Sequence, residues 1–109
     1  MFGLKDIHIK VIQSVFSNYS NVEEAVLYGS RAKGNWRAGS DIDLTLVGEG
    51  LSLSTLLKIE NEIDDLLLPY KIDLSIFDKI EDPDLIEHIN RVGTVFYNKE
   101  QISYSPQSD

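Results

Sequence analysis

The sequence predicts an α/β domain of α+β character: a small mixed sheet of about four strands covered by helices. Two observations lead there. Long stretches with apolar residues at helical spacing alternate with short apolar runs in which every second residue is polar. Glycine, proline and capping residues fall between these stretches, giving the order αβ(α)βαβαβ with short connections.

The elements follow in order. Residues 4–19 carry Leu4, Ile7, Val11, Ile12, Val15, Phe16 and Tyr19, one apolar stripe on a helix, and Asn18 to Asn21 form its exit. Residues 24–28 read as the first core strand. Ser30 to Gly34 reads as a single helical turn that Ser30 is placed to cap, and 35–40 as a loop holding the only tryptophan, Trp36. The second strand is 41–47, broken by Gly48-Glu49-Gly50. Ser52 or Ser54 caps a helix that reaches Leu67, and Pro69 stops it. The third strand is 70–77. Asp82-Pro83-Asp84 starts the last helix with an N-cap, a proline at the first position and acid in the first turn. That helix runs to Val92, with Gly93 at C′, and a short strand from Thr94 to Tyr97 closes the fold. One domain therefore spans 1–97, and 98–109 reads as a polar, frayed tail.

Composition sets the class. The 109 residues suffice for one modest core, and 42% hydrophobic with 26% charged residues are the proportions of a soluble globular protein. There is no cysteine, and His8 and His88 are too far apart in sequence to read as a zinc motif. No apolar run has the length of a membrane span and the N-terminus lacks a signal-peptide pattern, so a cytoplasmic location is expected. A net charge of −8 repels a phosphate backbone and argues against nucleic acid as a stand-alone ligand. Self-association through the 4–19 stripe or an edge strand stays open.

The chemistry concentrates between Gly29 and Asp43. Asp41 and Asp43 share one face of the second strand with Thr45, and Asp73 shares one face of the third with Ser75. Aspartate is depleted in strands, so three of them in two otherwise good strands call for a reason. Carboxylates on neighbouring strands about 5 Å apart repel by roughly 3 kcal/mol per pair at an effective dielectric near 20. Protons or cations must compensate, and hard divalent cations such as Mg²⁺ suit carboxylates combined with substrate phosphates. Two such ions side by side serve a phosphoryl-type displacement. Upstream, Gly29-Ser30 opens a turn whose backbone N–H groups are expected to face an anion. Arg31, Lys33 and Arg37 make a local reversal of charge that suits a polyphosphate.

Gly29-Ser30-Arg31 followed by Ser40-Asp41-Ile42-Asp43-Leu44, with Asp73 on a later strand, resembles the nucleotidyltransferase superfamily of DNA polymerase β. The brevity of the chain and the wording Gly-Ser-Arg-Ala-Lys-Gly resemble more narrowly the minimal nucleotidyltransferases (MNT), often the antitoxin halves of HEPN/MNT toxin–antitoxin pairs. The resemblance implies transfer of NMP, AMP from ATP foremost, to an acceptor hydroxyl. The acceptor it implies is a tyrosine of a HEPN-type helical partner. It implies metal and catalytic roles for Asp41, Asp43 and Asp73, nucleotide binding at Gly29, Ser30, Arg31 and Ser40, and two Mg²⁺ ions replaceable by Mn²⁺. The alternative reading is a binding module with slight or no catalysis that neutralises a partner by occupying its surface. Transfer onto a small molecule is a minor third option, because relatives of that kind usually carry an added helical domain.

Overall fold

The computed structural model describes residues 1–100. The chain runs through α1 (Asp6–Ser17), β1 (Glu24–Tyr28), α2 (Ser30–Lys33), β2 (Ile42–Val47), α3 (Leu53–Asp65), β3 (Ile72–Ile76), a 3-10 turn (Phe77–Lys79), α4 (Pro83–Val92) and β4 (Thr94–Asn98). The strands form one mixed sheet in the order β3-β2-β1-β4, with β1 antiparallel to both neighbours and β2 parallel to β3. This is the four-stranded α+β arrangement expected from the pattern of elements.

Alternation along the strands divides the sheet into two unlike faces. Ala25, Leu27, Ile42, Leu44, Leu46, Leu74 and Ile76 point to one side and are buried with Ile12, Val15 and Phe16 of α1 and Ile59 and Ile63 of α3. Gln13 of α1 adds a bond from its amide to the Phe96 carbonyl at 2.8 Å. The opposite face carries Tyr28, Asp43, Thr45, Asp73 and Ser75, and α4 packs on its β1 side. Among the described residues, Asp73 on this face is exposed and Asp43 half-buried, whereas the other face is filled by α1 and α3.

Local signals account for the helix boundaries. Ser52 caps α3 by accepting from the Thr55 N–H at 3.2 Å, and Asp82 caps α4 by accepting from the Asp84 N–H at 3.0 Å with Pro83 at the first position. Several boundaries differ from expectation. The third strand is Ile72–Ile76 rather than 70–77, because the chain tightens into the 3-10 turn at Phe77. Helix α3 ends at Asp65, and Leu67 takes a left-handed φ of 54° and lies exposed. Gly93 is extended, with φ −60° and ψ 139°, so it is not a left-handed C′ residue. Its missing side chain instead makes room for the Ile89 carbonyl and for Val26. Asn98 belongs to β4, and the Lys99 N–H donates to the Glu23 carbonyl at 2.9 Å, so the sheet continues past the expected tail boundary. The rest of the 98–109 tail, from 101 onward, lies outside the described residues.

Gly48 ends β2 where the Asn21 carbonyl lies in the space a Cβ would occupy, with the Glu23 nitrogen 3.2 Å from it. Both obstacles are backbone and neither can swing away. Gly48→Ala is expected to cost about 1–3 kcal/mol by overpacking. Thermal unfolding checks this, at roughly 4–8 °C per kcal/mol for a domain of this size.

Candidate active site

The parallel register of β2 and β3 pairs Asp43 with Asp73 and Thr45 with Ser75. The Ile42 N–H donates to the Lys71 carbonyl at 2.9 Å and ties the strands together at their entry. Adjacent strands run about 4.8 Å apart, so the two aspartates stand side by side on the open face. Behind them the Ser75 hydroxyl donates to Thr45 Oγ1 at 2.9 Å, which satisfies the fully buried Thr45. On the other side of Asp43, in register with it on β1, stands the buried Tyr28.

Electrostatics reports this crowding. Burial pushes the Asp43 carboxyl above the usual aspartate range, and the charges of Asp73 and then Asp41 push it further, while His88 acts in the opposite sense. The Tyr28 hydroxyl is raised for the same reasons, burial first and then Asp43 and Asp73, against a hydrogen bond with Ser75 that lowers it.

Asp41 stands apart. It lies just before β2 and is exposed, within electrostatic reach of Asp43. Among the described residues no group of three His, Cys, Asp or Glu side chains is arranged to hold one metal ion. The structure therefore brings together a pair, Asp43 and Asp73, with Asp41 at its margin, rather than the compact trio expected from sequence. A pair of adjacent carboxylates is nonetheless a hard oxygen donor set. It fits Mg²⁺, which keeps several waters and takes further ligands from substrate phosphates.

The Gly29-Ser30 turn adjoins the pair. Gly29 has φ 78° and ψ −156°, a conformation open to glycine, and a Cβ there would run into Asp43 Oδ2. Gly29 itself occupies the cap position of α2, so Ser30 is the first helical residue and makes no capping bond, contrary to expectation. Ser30 is half-buried. The Gly29 N–H is not open to an anion either: it donates to His88 Nε2 at 3.2 Å.

Arg31 occupies a different position from the one expected of a phosphate ligand. Its side chain is 3% exposed. Nε and Nη2 both donate to the Ser40 carbonyl, at 3.1 and 2.9 Å, and Nη1 donates to the Phe2 carbonyl at 2.8 Å. The guanidinium lies 5.7 Å from the Trp36 ring centroid and 5.4 Å from that of Tyr70. It holds the 35–40 loop and the N-terminal segment together. Ser40 belongs to this scaffold through its carbonyl, and its hydroxyl accepts from the Arg37 N–H at 2.9 Å, closing a turn just before Asp41. Trp36 packs over Gly3, where a Cβ would meet its ring at 2.7 Å, so it anchors the loop. Lys33 and Arg37 remain exposed.

His88 is a site residue that sequence reasoning missed, since its distance in sequence from His8 speaks only against a zinc motif. The signal was present. Leu85, Ile89 and Val92 form the inward stripe of α4, and His88 sits among them at helical spacing, a polar ring where an apolar residue is expected.

These features meet a known family. The family model for polymerase beta nucleotidyltransferases matches residues 10–102, and the chain belongs to that family. No curated protein matches the sequence. Solved structures share its fold. A chain of a toxin–antitoxin crystal structure with AMP-PNP aligns with TM-score 0.66 and 18% identity, over 91% of this chain and 77% of that one. A chain from the complex of a tri-AMPylated Shewanella oneidensis HEPN toxin with its MNT antitoxin aligns with TM-score 0.64 and 15% identity, over 92% and 77%. A nucleotidyltransferase-like protein from Sulfolobus solfataricus gives TM-score 0.55 and 21% identity, over 85% and 78%. At these identities the likeness is one of fold. Among the described residues no helix is long and apolar enough to cross a membrane.

Proposed function

We propose that this protein transfers AMP from ATP to a tyrosine hydroxyl of a HEPN-type partner and thereby acts as its antitoxin. The observation that carries this is the in-register pair Asp43–Asp73 on the open face of the sheet, beside the Gly29-Ser30 turn. Membership of the nucleotidyltransferase family supports the reaction class. The fold neighbours, complexes of MNT antitoxin with an AMPylated HEPN toxin among them, support the choice of partner.

In this reading the acceptor oxygen forms a bond to the α-phosphorus, the bond from that phosphorus to the bridging oxygen of the β-phosphate breaks, and pyrophosphate leaves. Asp73, the more exposed of the pair, takes the proton of the acceptor hydroxyl. Asp43 and Asp73, with Asp41 at the margin, would hold Mg²⁺ or Mn²⁺, which offsets the charge of the phosphates. Gly29 and Ser30 line the path of the departing phosphates. Arg31 and Ser40 act through the loop they hold, by placing Asp41 just before β2.

The test is incubation of the protein with α-labelled ATP, Mg²⁺ and a HEPN-type protein that forms a complex with it. Label is expected on a partner tyrosine and is expected to vanish when that tyrosine becomes phenylalanine. Mg²⁺ with a non-hydrolysable ATP analogue at a hundred times its dissociation constant is expected to stabilise the protein by about 2.7 kcal/mol. The net charge of −8 favours one other reading, a module that neutralises a basic partner by binding alone. A tight complex without transfer, indifferent to Asp41→Asn combined with Asp43→Asn, would select it.

A further inference from the structure

The turn at Gly29 is gripped from two sides. On one, the Asp43 carboxylate occupies the room left by the missing Cβ. On the other, the Gly29 N–H donates to His88 Nε2 at 3.2 Å. This amide stands at the head of α2, where the helix's own ladder supplies no acceptor, so without His88 it would need water or a ligand. The φ of 78° is a conformation that glycine adopts and that side-chain-bearing residues rarely do. The Gly29 carbonyl is held by the Lys33 N–H at 3.1 Å, and its N–H is held by His88.

The imidazole is well placed for this bond. It is half-buried on the inward side of α4 and stands edge-on to the buried Tyr28, with ring centroids 6.1 Å apart and an interplanar angle of 80°. Helix α4 has both ends closed by local bonds, the Asp82 cap and the Gly93 N–H donating to the Ile89 carbonyl at 2.8 Å, and it packs against β1.

We infer that His88 is a positioning residue for the nucleotide: it sets the plane of the Tyr28–Gly29 peptide that leads into the turn, so that the Gly29-Ser30 turn meets the polyphosphate in one orientation. This rests on the nucleotide reading above. The contact joins α4, otherwise remote from the Gly-Ser and Asp-x-Asp stretches in sequence, to the geometry of the site.

The experiment has two arms, both on the free full-length chain. In the first, a trans-hydrogen-bond coupling between the Gly29 amide nitrogen and His88 Nε2 is sought by nitrogen-15 NMR, with a resolvable coupling expected. In the second, the affinity for a non-hydrolysable ATP analogue with Mg²⁺ is compared across variants. His88→Phe keeps an aromatic ring against Tyr28 and removes the acceptor; it is expected to weaken binding about tenfold, the size of one hydrogen bond. His88→Gln places an amide oxygen near the position of Nε2 and is expected to bind within about threefold of wild type. His88→Asn, too short to reach, stands in for the phenylalanine variant if that one folds poorly. Absence of the coupling, undiminished binding by His88→Phe or His88→Asn, or equal impairment of the glutamine variant overturns the role of His88. Failure of the wild type to bind the analogue while the coupling is present overturns the nucleotide reading, and the role with it.

Discussion

Asp43→Asn is expected to abolish transfer while making the ligand-free protein more stable. The activity loss is expected to be about 10³-fold, since several kcal/mol of charge stabilisation at the phosphates go with the carboxylate. The stability gain comes from the same charge. The Asp43 carboxyl lies above its ordinary value because of burial first and the charges of Asp73 and Asp41 next. A folded-state pKa above the unfolded one favours folding at low pH, and that contribution is lost as the pH rises through the folded value. At neutral pH the ionised Asp43 therefore opposes folding. Two carboxylates about 5 Å apart repel by roughly 1–3 kcal/mol across effective dielectrics of 80 to 20. The lower end applies here because Asp73 is exposed. A gain of about 1 kcal/mol raises the melting temperature by roughly 4–8 °C at pH 7. The gap should close as the pH falls toward the ordinary aspartate value of 3.8. A variant that melts lower than wild type at neutral pH, or that still transfers AMP, would contradict the assignment.

Arg31→Met is expected to cost about 3–4 kcal/mol and to lower the melting temperature by more than 10 °C. The substitution leaves the Ser40 and Phe2 carbonyls without their donors and strips a cation from between Trp36 and Tyr70. Arg31→Lys keeps the charge and loses the fork that spans both carbonyls, so it should recover less than half of the stability. A phosphate ligand behaves differently: its removal weakens nucleotide binding and leaves the ligand-free melting temperature in place. Thermal unfolding without nucleotide therefore separates the two roles of Arg31.

Arg31 also marks where reading the sequence runs out. A cation next to a glycine turn looks like an anion ligand from local context, and Phe2 and Tyr70, which bury it, are distant in the chain. The strands were legible because alternation is a local property: Ile42, Leu44 and Leu46 on one side and Asp43 and Thr45 on the other require only a period of two. The same alternation placed Asp73 opposite its apolar neighbours, and the parallel register then set it beside Asp43. Asp41 was drawn into the same set by that alternation, but β2 begins one residue later and the Arg31-bound loop sets where Asp41 stands. The caps at Ser52 and Asp82 were legible for the same local reason as the strands. Gly93 was not, because a glycine kept for close approach of the Ile89 carbonyl and Val26 looks in sequence like a glycine kept for a left-handed turn.

The strand order has a consequence for how the site behaves over time. Among the described residues, Asp43 rides on a strand bonded along both sides, whereas Asp73 rides on the outermost one, fastened to the sheet along a single seam. Rim strands open at lower free energy than interior ones. Any opening of that seam would part the two anions and relieve their repulsion while the rest of the sheet stays whole. A ligand that bridges both would act as a stitch across the seam, so the bound protein should breathe less there than anywhere else it changes.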